Sequence, residues 1–96
     1  MEQRKQVCSE AIAKAFDSCI DKMFEALKKK GSGAFVSSHE ILGVLTEEYD
    51  EVKLAVHEND IGWLKAELMD VVVAAIFSLA SIETIQLTKS EKISIS

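Results

Sequence analysis

Residues 67–82 read ELMDVVVAAIFSLASI, a stretch with little room on its surface for water. On a helical wheel at ~100° per residue, Leu68, Val71, Val72, Ala75, Ile76 and Leu79 form a broad apolar arc. Met69, Val73, Phe77 and Ala80 carry it round the other side. One narrow stripe breaks it: Glu67, Asp70, Ala74, Ser78 and Ser81. A helix apolar nearly all round must be buried on several sides. A chain of 96 residues has room for one core, and two further helices hardly cover such a surface. A homo-oligomer, dimer or tetramer, is therefore expected. The unbroken low-polarity run, Val71 to Ile82, is shorter than the ~20 residues of a bilayer crossing, so no membrane partner is expected.

The rest of the chain divides into helices by periodicity and punctuation. Residues 1–30 predict a first helix, beginning near Gln3, with Cys8, Ile12, Phe16, Cys19, Met23 and Leu27 at helical spacing. It stops at Gly31-Ser32-Gly33. Residues 37–58 predict a second helix, opened by Ser37 and Glu40 at the capping-box spacing. Residues 60–86 predict a third, with Asp60 as N-cap. The tail, 87–96, alternates Ile with Ser and reads as a frayed end or a short added strand. The expected fold is all-α and a single domain over 1–96: a long N-terminal helix packed on an antiparallel helical hairpin. Cys8 and Cys19 are ~16 Å apart along one helix, too far to bond, and are expected as small buried thiols. The N-terminus lacks the apolar stretch of a signal peptide, and a cytoplasmic protein is expected. A net charge of −5 argues against nucleic acid as partner. Lys28, Lys29 and Lys30 read as a cluster complementing the C-terminal end of the helix dipole.

Against this apolar frame the acids stand out. In LTEEYDEV, residues 45–52, Glu48 falls in the middle of the arc formed by Ile41, Val44, Leu45, Val52 and Ala55, and Glu51 at its edge. An unpaired charge in such a stripe is costly. Glu67 and Asp70 form a second pair on the third helix. The midpoints of the two pairs lie about ten residues before and about nine after the Asn59-Asp60 turn. Both pairs are thus ~13–15 Å from the turn, level on antiparallel helices. Four converging carboxylates splay into solvent, take up protons, or hold a divalent cation. Oxygen donors suit Mg²⁺, Mn²⁺ or Ca²⁺, and with Glu48 inside an apolar arc the cation is the economical answer. Asp50 lies on the opposite, polar face, Glu47 borders the site, and His39 and His57 are each about nine residues from Glu48.

The spacing of these acids resembles a known signature. EEYDE, Glu47 to Glu51, followed by ELMD, Glu67 to Asp70, looks like the EExxE…ExxD pattern of the all-α nucleoside triphosphate pyrophosphohydrolases of the MazG-like superfamily. The match covers about residues 37–82. The resemblance implies a four-helix-bundle-like MazG-type assembly and a hydrolase that cleaves a (deoxy)nucleoside triphosphate to monophosphate and pyrophosphate. It implies Glu48, Glu51, Glu67 and Asp70 as Mg²⁺ ligands, with Mn²⁺ as a possible substitute and Glu47 as the flanking acid. Such a metal neutralises phosphate charge and acidifies an attacking water. Glu48 by analogy, or Glu47, is the catalytic residue that orients that water. Ala74, Ser78 and Ser81 leave room beside the metal. Base recognition in the family points to Phe16 or Phe24 in the first helix, or to Phe35 or Trp63 near the loops.

The chain also departs from that pattern. Basic residues that meet the phosphates follow the third helix in many MazG-type proteins, and here only Lys89 and Lys92 are available. Val44, Leu45 and Thr46 stand where phosphoribosyl-ATP pyrophosphohydrolases tend to carry a lysine, so that activity is the runner-up. An inactive or regulatory helical oligomer, or a partner-binding module of the same fold, is the alternative from a different class. No P-loop and no covalent nucleophile is visible, which leaves water as the attacking group.

Overall fold

The computed structural model describes residues 3–88, with side chains described as far as Ile85. The described residues form three helices: α1 (Ser9–Lys30), α2 (Ser38–His57) and α3 (Ile61–Thr88). Of the tail expected as a frayed end or added strand, Leu87 and Thr88 continue α3, and the rest, with Lys89 and Lys92, lies outside the described residues.

Local chemistry sets most of the boundaries. The first helix begins at Ser9, six residues later than the sequence pattern predicts, with Cys8 extended as its N-cap. Arg4 and Lys5 would place positive charge at the positive end of the helix dipole, whereas the helix as formed carries Glu10 in its first turn. Gly31 ends α1 at φ 81°, its N–H bonded to the Leu27 carbonyl, a backbone conformation that favours glycine. Ser37 caps α2 as expected: its Oγ accepts from the Glu40 N–H at 3.1 Å. The Glu40 carboxylate reaches back to the Val36 N–H at 2.8 Å, one residue beyond the reciprocal bond of a capping box. The α2–α3 turn passes through Asn59 at φ 60°, and Asp60 Oδ1 accepts from the Trp63 N–H at 2.9 Å. These two caps fix where the hairpin's arms start.

Helix α3 packs on both α2 and α1, and α1 and α2 do not approach each other. The face it turns inward is the stripe of small residues: Ala74, Ser78, Ser81 and, a turn on, Ile85 are buried. Ala55 of α2, 1% exposed, and Cys19 of α1 complete the buried set. Small side chains let the helix backbones come close, and the buried hydroxyls are satisfied. Ser78 Oγ donates to the Ala74 carbonyl at 2.7 Å, and Ser81 Oγ accepts from the Phe35 N–H at 3.0 Å, tying the 31–37 loop to α3.

The large apolar side chains mostly point the other way. Leu68, Val72, Ile76 and Leu79 are exposed on α3, and Ile12, Phe16, Ile20 and Phe24 are exposed on α1. No large side chain is fully buried among the described residues. The α1 stripe expected as core is therefore half outside, and Cys8, expected as a buried thiol, is exposed while Cys19 is buried. Ile61–Ile85, 25 residues containing an 18-residue window with a mean hydropathy of 1.9, is by length and composition long enough to cross a bilayer. Counting the run only from Val71, after Glu67 and Asp70, understates its apolar length.

Candidate metal and nucleotide site

The apolar arc of α2 lies on α3 as its periodicity requires. Ala55 is buried, while Ile41, Val44, Leu45 and Val52 are half-buried. Glu48 sits in that arc and is carried into the seam with them, itself half-buried. Across the seam, α3 brings up Glu67 and Asp70, one turn apart on its inward stripe and also half-buried. One carboxylate oxygen from each of Glu48, Glu67 and Asp70 lies within 4.8 Å of the others. Glu51 is exposed and outside this trio. Three residues along a helix turn the side chain by ~60°, which moves it from the seam to its rim. Glu47 and Asp50 are exposed, and Asp50 pairs with Lys53 at 3.4 Å.

The electrostatics follow from this crowding. The Glu48 carboxyl is held above its ordinary value of 4.5, first by burial, then by the negative charges of Asp70 and Glu67 and, more weakly, of Glu51; Lys30 pulls it the other way. Glu67 is oriented by the indole of Trp63, whose Nε1–H donates to its Oε1 at 3.2 Å. Asp70 faces the ammonium of Lys22, 3.3 Å from its Oδ1. The donors are all carboxylate, the chemistry of a hard divalent cation. Oxygens around a cation with ~2.1 Å bonds sit about 3 to 4.2 Å apart, so the three side chains would draw together to share one ion. The three residues could hold a metal ion.

Glu48 and Asp70 also line a cavity of about 420 Å³ between α1, the 31–37 loop, α2 and α3. Lys22, Lys29 and Lys30 line it from α1, and Phe35, Val44, Val73 and Phe77 give it an apolar wall. The rings of Phe35 and Phe77 meet edge to face at 5.0 Å. Among the residues singled out for substrate, Phe35 is in this cavity. Phe16 and Phe24 are exposed on α1 and do not line it. Trp63 touches the site through Glu67. The Ser78 hydroxyl is bonded to its own helix. Phe77 and the α1 lysines are new. Phe77 follows Asp70 by seven residues and so shares its face, a signal present in the sequence. The lysines carried no such signal, because no periodicity spans the 31–37 loop to set α1 against α3.

Comparisons with protein-family models, with curated proteins and with solved structures find no match to this chain.

A pH dependence follows from the direction of the Glu48 shift. An acid that binds its proton more tightly folded than unfolded favours the folded state at low pH. That contribution is lost as pH rises from 4.5 through the raised folded value. With divalent ions chelated, Glu48→Gln should thus melt above the wild type at pH 7, and by a smaller margin at pH 4. Thermal melting at the two pH values checks this; an equal margin at both would remove the crowding from the account.

Proposed function

We propose that this chain is a Mg²⁺-dependent nucleotide pyrophosphohydrolase, cleaving a (deoxy)nucleoside triphosphate to monophosphate and pyrophosphate. The observation that carries the reading is the convergence of Glu48, Glu67 and Asp70 beside a cavity with cationic and aromatic walls. The volume is in the range of a small-molecule pocket. Its three surfaces match a nucleotide's three parts: carboxylates for a bridging cation, lysines for phosphate, and the Phe35–Phe77 edge for a base. The resemblance of the acid spacing to the MazG-like enzymes points the same way. Mg²⁺ held by Glu48, Glu67 and Asp70 would neutralise phosphate charge and polarise the scissile phosphorus.

The chain's own residues divide the remaining work. The Trp63 indole holds Glu67 in one orientation, and outer partners of this kind fix ligand geometry. Glu48, whose proton affinity is raised, suits taking a proton from water, with Glu47 as the flanking alternative. Glu51, at the rim, serves as a further ligand when a nucleotide brings its own cation.

The same proposal includes a second copy of the chain over the exposed apolar faces. Exposed patches this extensive are unusual on soluble monomers. Lipid is a poor cover for α3, because α2 lies against it and exposes Glu47, Asp50, Glu51 and Lys53. A bundle in which α3 helices from two copies meet through Leu68, Val72, Ile76 and Leu79 satisfies both helices. Val72→Asp or Ile76→Asp should then yield monomer or aggregate in sedimentation. A well-folded wild-type monomer at micromolar concentration would contradict the assembly.

The reaction is tested by its products. Pyrophosphate and monophosphate should appear with excess Mg²⁺ across a nucleotide panel. Glu67→Gln and Glu51→Gln should lose turnover far more than Asp50→Asn. Orthophosphate as the only product, or an Asp50 variant as damaged as the Glu67 one, would place the chemistry elsewhere. No turnover from a protein that binds cation and nucleotide would favour the inactive or regulatory relative.

A further inference from the structure

Asp70 has a cation beside it before any metal is considered. The Lys22 ammonium lies 3.3 Å from Asp70 Oδ1, and both side chains are about one-third exposed, 33% and 32%. Lys22 therefore neutralises a carboxylate that a divalent ion on the trio would need. Two positive charges on one carboxylate repel each other in a half-buried site. A divalent ion engaged by all three carboxylates would displace the ammonium, which has one. Lys22 has somewhere to go. It lines the same cavity as Lys29 and Lys30, on a flexible four-carbon stem. That cavity contains no other cationic side chains than these three lysines among its lining residues.

We propose that Lys22 is an exchanging counter-cation: it neutralises Asp70 until a divalent ion takes that carboxylate, and then moves onto the polyphosphate of the substrate. The phosphate-binding cations of this chain thus include lysines of α1. Binding is coupled as a consequence. The cation frees the lysine that the polyphosphate uses, and by linkage the polyphosphate draws the cation in. This rests on the cation reading of the trio proposed above, and makes Lys22 a binding residue for the anionic part of the substrate.

Two signs of opposite direction test it, read without turnover. Mn²⁺ binding to the full chain is followed by loss of the free-ion paramagnetic resonance signal, first alone and then with inorganic tripolyphosphate. Lys22→Met, with its competitor gone, should bind Mn²⁺ alone about two- to fivefold more tightly, as expected for losing a partly exposed ion pair. The Mn²⁺-loaded variant should bind tripolyphosphate about tenfold more weakly, as expected for one lost charge-assisted bond. Lys22→Arg, which keeps the charge, should remain near wild type in both. A lysine that merely supports the fold would weaken both steps together, and that result overturns the proposal, as does a Lys22→Met protein unchanged in either. If wild type binds Mn²⁺ and Asp70→Asn does not, but Lys22→Met matches wild type, the cation site stands and the exchange falls. If wild type binds no Mn²⁺, both fall.

Discussion

Three carboxylates from two helices within 4.8 Å repel one another, and much of the molecule around them answers that repulsion. Glu48 bears the burden most visibly, its carboxyl held toward the protonated form by burial and by Asp70 and Glu67. Glu67 is steadied by the Trp63 N–H and Asp70 by the Lys22 ammonium. These contacts reduce the cost without removing it, since a partly exposed ion pair contributes little. A divalent cation on the trio would be attracted by all three charges at once.

The trio exists because of how α3 is turned. Presenting Ala74, Ser78 and Ser81 inward lets α1 and α2 each approach α3 closely, and on this same stripe Glu67 and Asp70 reach the seam. The consequence is an outer surface of Leu68, Val72, Ile76 and Leu79. The carboxylate trio and the exposed apolar face are therefore two results of one rotation. A helix turned to bury its large side chains would gain a core in the monomer and lose the carboxylates from the cavity.

Much of the hairpin was legible because its determinants are local. Ser37 and Asp60 cap the helices they were expected to cap, and with both starts fixed, the level of the acids on the two arms follows from the rise per residue. Glu48 in an apolar arc was readable as a residue carried inward by its neighbours. Which member of each acidic pair reaches the seam was not, since the wheel shows a stripe and not the partner's position: Glu51 stayed at the rim while both Glu67 and Asp70 came in. The inward side of α3 was left open for a related reason. Hydrophobicity suggests burying the large residues, but close packing of three helices selected the small ones, leaving Phe16 and Ile12 outside as well. The cationic wall was beyond reach, because a seven-residue loop without periodicity separates α1 from α2.

If Glu48, Glu67 and Asp70 hold a divalent cation in the folded chain, thermal melting reveals it without any substrate. A ligand bound only by the folded state raises its stability by mass action. The melting temperature should climb through millimolar Mg²⁺ or Mn²⁺, and Glu48→Gln and Asp70→Asn should remain folded while losing that climb. Melting of the wild-type protein that ignores both ions would contradict the account.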